Sequence, residues 1–118
     1  MKENIIQIKS FKFAIRIINL YRYLTDTKKE FVLSKQILRC GTSIGANIEE
    51  AIGGQSSKDF ISKLEIAYKE TREAHYWIRL LQATNFITVK EAESLLEDCE
   101  ELLKIITSIK KTAKRNNS

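Results

Sequence analysis

This sequence of 118 residues predicts an all-α fold: an antiparallel up-and-down four-helix bundle with a left-handed twist. Three observations carry the expectation. Apolar residues recur four and three apart in four separate stretches, the seam spacing of helices packed on one another. The breaks between the stretches are short and hold capping residues, which makes consecutive helices antiparallel neighbours. Proline is absent, so nothing interrupts a long helix.

The first helix is expected over 4–25, with Ile6, Ser10, Phe13, Ile17, Leu20 and Leu24 as its seam. Phe11, Ile15 and Ile18 widen the apolar stripe, so this helix is expected to touch two neighbours. Asp26-Thr27-Lys28-Lys29 is polar and reads as a connection. The second helix is expected over 30–52, with Leu33, Ile37, Cys40, Ile44, Asn47 and Ala51 in line and Gly53-Gly54 as its stop. The third, over 56–84, opens at Ser56 or Ser57, with Asp59 at the positive end of the helix dipole. Its seam is Phe60, Leu64, Ala67, Thr71, Ala74, Ile78 and Leu81, and Thr84-Asn85 ends it. The fourth, over 88–113, starts at Thr88, where Glu91 completes a capping box. Ala92, Leu95, Cys99, Leu102, Ile106, Ile109 and Ala113 follow at the same spacing. One domain over 1–113 with a frayed tail over 114–118 is the resulting organisation. No strand-like alternation competes with it.

One stretch resists a simple helical reading. In Arg39–Gly54, "RCGTSIGANIEEAIGG", the residues Gly41, Thr42, Ser43, Gly45 and Asn47 are weak helix formers inside an apparent core stripe. Gly41 and Gly45 sit four apart on one face, which lets a neighbouring backbone come close. Arg39, Ser43 and Asn47 form a polar stripe beside the apolar one, with Glu50 near its end. Such a stripe must be hydrogen-bonded internally, face another subunit or hold a ligand.

These residues also carry a resemblance. Arg39, Ser43-Ile44, Asn47-Ile48 and Glu50 resemble the R-x-x-x-S-I-x-x-N-I-x-E signature of the bacterial four-helix-bundle family named for proteins encoded in intervening sequences of 23S rRNA genes. Phe60, Ile66-Ala67 and Glu73 match its third-helix pattern. Two positions depart from it: Ala51-Ile52-Gly53 replaces a frequent glycine after the motif glutamate, and Lys69-Glu70 replaces a frequent Gly-Ser. The family is similar to the accessory protein of diversity-generating retroelements, a pentameric barrel that contacts nucleic acid. The resemblance therefore implies a homo-oligomer, most simply a homopentamer, with RNA or DNA and a reverse transcriptase or other protein as further partners. It makes Arg39, Ser43, Asn47, Glu50 and Glu73 structural motif residues.

Composition narrows the function classes. A hydrophobic content of 43% with 30% charged residues excludes a disordered chain. Uninterrupted apolar runs reach only three residues, such as Phe31-Val32-Leu33, so no membrane span is expected. The sequence opens without the apolar block of a signal peptide, and a cytoplasmic location is the expectation. Cys40 and Cys99 lack metal-ligand spacing and read as buried, reduced thiols.

The net charge of +5 is unevenly spread: residues 1–39 carry +6, 40–100 carry −5 and 101–118 carry +4. Helices one and four are therefore expected to form a basic side. Lys9, Lys12, Arg16, Arg22, Lys104, Lys110, Lys111, Lys114 and Arg115 are the candidate nucleic-acid-binding residues. They suit sequence-independent contact with phosphates, and the same charges could equally be solvated or join subunits.

Catalytic patterns are missing. The lone His75 follows Arg72, not a glutamate, by three residues, so the Glu-x-x-His pairs of di-iron bundles are not formed. Nor does an arginine stand four to six residues ahead of it, as helical-bundle nucleases of the HEPN kind require. His75-Tyr76-Trp77 reads as packing rather than a base-stacking site. The expectation is a protein without enzymatic activity, cofactor or metal. Two classes remain: a nucleic-acid-associated oligomer, and a structural or protein-interaction module without nucleic-acid affinity.

Overall fold

Four helices account for nearly all of the chain in the computed structural model, which describes residues 2–116. They are α1 (Lys2–Asp26), α2 (Leu33–Ile52), α3 (Ser57–Ala83) and α4 (Val89–Asn116). Each packs on the next in sequence and α1 closes the ring on α4, the least extensive of the four contacts. The result is a rod of 48 × 22 × 19 Å.

Each boundary has a local cause. α3 starts where Ser56 Oγ accepts the Asp59 N–H at 3.0 Å. Its end is a Schellman turn: Asn85 takes a left-handed φ of 68°, Phe86 N–H bonds Leu81 O, and Asn85 N–H bonds Gln82 O. The capping box at α4 is closed in both directions, Thr88 N–H to Glu91 at 2.9 Å and Glu91 N–H to Thr88 Oγ1 at 3.1 Å. α4 continues to Asn116, so residues 114–116, expected as tail, are helical, while 117 and 118 lie outside the described residues. Gly53 ends α2 without a left-handed conformation, its N–H bonding Glu49 O.

The second helix begins three residues later than its sequence pattern indicates. Glu30 is not its first residue but its cap: the carboxylate accepts the N–H groups of Val32, Leu33 and Ser34 at 3.1, 2.9 and 2.7 Å. Partial burial alone would raise the Glu30 carboxyl, but the N–H donors of Leu33, Ser34 and Val32 outweigh it and hold it below its ordinary value. A carboxyl depressed in the folded state adds stability above its unfolded pKa, and that stability is lost as pH falls through the folded pKa. Glu30→Gln is therefore expected to cost about 1 kcal/mol at neutral pH and to flatten the acid limb of stability against pH. Urea unfolding at a series of pH values tests this; equal wild-type and variant curves would contradict the cap.

The core follows the seams closely. Every seam residue named for α1 is buried, as are Leu64, Ala67, Thr71, Ala74, Ile78 and Leu81 on α3 and Ala92 through Ile109 of the α4 seam. On α2 the line runs Ile37, Cys40, Ile44, Ile48 and Ala51. Ile48, not Asn47, holds the core position; Asn47 is half-buried on the flank. The glycines explain the unusual stretch. α2 is helical throughout, and Gly41 faces the side chain of Ile17 while Gly45 faces the backbone of Ser10, so α1 comes in close. Phe11 and Ile15, expected to widen the α1 contact, are instead exposed. α1 meets its two neighbours through other residues.

Candidate nucleic-acid interface

The antiparallel arrangement sets α1 beside α4 in opposite directions, and this sorts the cations into two groups. Lys9 and Arg16 point across to α4, where Lys9 pairs with Glu101 at 3.1 Å and Arg16 with Asp98 at 2.6 Å. Arg16 also donates to Ser94 Oγ at 3.0 Å. These two side chains tie the seam between the helices and are not a free cationic stripe. Pairs this exposed contribute little stability and serve mainly to orient the helices.

The expected basic side is thus interrupted, and its densest part lies at the C-terminal end of α4. The first half of α4 is acidic, with Glu91, Glu93, Glu97, Asp98, Glu100 and Glu101; its second half carries Lys104, Lys110, Lys111, Lys114 and Arg115. That order complements the helix dipole. Lys104 and Lys111 are on the outer side, flanking a shallow cleft of about 410 Å³. Lys110 lies 4.3 Å from the Tyr68 ring centroid and Lys114 reaches Glu65 at 3.7 Å, so both lean onto α3. Lys12 and Arg22 are exposed on α1. No ion pair among the described residues engages Lys12, Arg22, Lys104 or Lys111.

The polar stripe of α2 is turned toward α3. Arg39 bridges two carboxylates, Glu70 at 2.9 Å and Glu73 at 2.5 Å. Glu73 also accepts the Trp77 indole N–H at 2.9 Å. The hydrogen bond with Arg39, then that with Trp77, holds the Glu73 carboxyl below its ordinary value against partial burial. The bond to Glu73 likewise holds the Arg39 guanidinium above its own. At the other end Glu50 pairs with Lys63 at 3.0 Å. Between them Asn47 donates to Ser43 O and Oγ at 2.9 and 3.0 Å, within its own helix. The stripe clamps α2 to α3 at both ends. Glu70, Lys63 and Trp77 complete it: Lys63 was not singled out in the sequence, while Glu70 was noted there only as a departure from the family pattern and Trp77 only as packing; the Glu73–Trp77 spacing of four residues was the available signal for their role.

The remaining chemistry-bearing groups are occupied or inert. His75 is held between Glu100 at 3.3 Å and Arg79 at 3.1 Å. Burial pushes each thiol, Cys40 and Cys99, up to about 12, so neither is a ready nucleophile. Among the described residues no cluster of His, Cys, Asp or Glu could hold a metal ion, and no helix is long and apolar enough to cross a membrane.

Residues 2–108 match the family described as 23S rRNA-intervening sequence protein. Among solved structures, the chain is similar to a protein of unknown function from the S23 ribosomal protein family of Bacteroides thetaiotaomicron VPI-5482. The two are 54% identical with a TM-score of 0.93, over 94% of this chain and 99% of that one. No curated protein matches the chain significantly.

Proposed function

Because the chain belongs to the family of 23S rRNA-intervening sequence proteins, we propose that it is a self-associating, non-enzymatic bundle that holds nucleic acid without sequence preference. The cationic end of α4 is the contact surface. The observation that carries this reading is the gathering of Lys104, Lys110, Lys111, Lys114 and Arg115 on the last turns of one helix. Neither Lys104 nor Lys111 is engaged in an ion pair among the described residues. Lysines are point charges that neutralise phosphates but do not read base edges, so the affinity is electrostatic. One bundle offers few such contacts. Repetition in a homo-oligomer, a pentamer by the family resemblance, turns weak patches into useful avidity. Occupied His75 and inert thiols support a binding role over catalysis.

Lys104→Gln combined with Lys111→Gln is the direct test, read as log affinity against log salt for duplex DNA, single-stranded RNA and a hybrid. On duplex DNA the variant's slope is expected to be shallower by about 1.8 if each lysine neutralises one phosphate. Lys9→Gln, which removes an already paired cation, is expected to change the slope far less. Wild type that fails to bind at low salt overturns the reading in favour of a protein-interaction module; equal slopes overturn the assignment of the surface.

A further inference from the structure

α1 is apolar on two opposite sides. One carries the buried seam; on the other, Phe11, Ile8 and Ile15 form an outward ridge over successive turns, 68%, 55% and 46% exposed. A helix in a finished globular surface shows such a stripe on one face only, and a contiguous exposed ridge marks a contact site.

We propose that this ridge is the self-association surface, and that it docks onto the α1–α4 side of a second copy of the same chain. The inference rests on the self-association part of the function proposed above and names the surface that carries it. Charge selects the occupant and the geometry. Lys12 and Arg22 stand exposed on the same helix as the ridge, in a segment of charge +6. Two ridges facing each other would set these like charges together, so a symmetric α1–α1 pairing is disfavoured. The acidic first half of α4 is the complement, with Glu93 and Glu97 exposed and outward. Beside it lies a cleft of about 580 Å³ floored by Leu20, Ile87 and Leu95, large enough for the Phe11 ring. Arg16 at the cleft is already neutralised by Asp98, and the other charged residues that line it, Lys90 and Glu91, are of opposite sign. The cleft by Lys104 and Lys111 would repel the cationic helix. Two different patches on one chain make a head-to-tail contact, which propagates until it closes into a ring.

The experiment uses two full-length variants and reads mass by sedimentation velocity. Phe11→Glu removes the ridge, and Glu93→Lys with Glu97→Lys removes the receiving face; each side chain is exposed, so helicity should match wild type. Wild type is expected to be oligomeric, and each variant alone to associate at least about tenfold more weakly. Mixed one to one, the variants should form a heterodimer and stop, since only one intact pair of patches remains. If the Glu93→Lys, Glu97→Lys variant still dimerises alone while the mixture gains nothing, the pairing is symmetric and the proposal is overturned. An unchanged mass for Phe11→Glu overturns the surface and leaves self-association standing. A wild type monomeric up to about 100 µM overturns both. A monomer that sediments with anionic vesicles through Phe11 overturns the choice of occupant.

Discussion

Gly41→Ala is expected to destabilise the protein by up to about 2 kcal/mol, while Gly45→Ala, one turn on, is expected to stabilise it by up to about 1 kcal/mol. Both changes gain the same helix propensity, about 1 kcal/mol, so their difference isolates the contact with α1. A Cβ on Gly41 would stand 2.7 Å from both Cγ atoms of Ile17 and 3.1 Å from its Cβ. Ile17 is fully buried and branched at Cβ, so its γ carbons cannot turn aside. Overpacking of this kind costs about 1–3 kcal/mol, or forces the helices apart. A Cβ on Gly45 would meet Ser10 Oγ at 3.4 Å and its carbonyl at 3.6 Å, ordinary contact. Urea unfolding of the two single variants measures the contrast. Ile17→Ala placed in the Gly41→Ala background should recover more than additivity allows, by about 1 kcal/mol. Equal signs for the two glycines would show that α1 does not approach as described.

Ile48→Ala is expected to cost about 2–4 kcal/mol, the usual range for an isoleucine wholly withdrawn from water. Its neighbour behaves differently. Asn47→Leu should stay within about 1 kcal/mol, because the asparagine amide bonds only Ser43 of its own helix and fixes no register between helices. A larger loss for Asn47→Leu than for Ile48→Ala, in the same unfolding assay, would move the α2 seam back onto residue 47.

That pair shows where sequence reasoning reaches its end. From Ile44, steps of three then four lead through Asn47 to Ala51, and steps of four then three lead through Ile48 to the same residue. Both are helical. The apolar side chain of Ile48 was a legible hint, but the choice belongs to the surface that α2 presents to its neighbours. Glu30 is similar: the polar break before α2 was visible, yet a carboxylate reaching forward to three N–H groups resembles a first helical residue until its backbone is seen.

The sequence by itself determined the four helices, the Thr88 cap, the choice of Ser56 or Ser57 for the start of α3, the seams of α1, α3 and α4, and the family signature. These depend on interactions three or four residues apart, which any chain carries with it. Only the tertiary structure decided that Arg39 meets Glu73, 34 residues away, and that Lys9 and Arg16 are neutralised while Lys104 and Lys111 face outward. It also left Phe11 on the outside. Each of these outcomes depends on the rotation of one helix about its axis relative to the next. That rotation is set by close packing at points such as Gly41 against Ile17, and no local pattern encodes it.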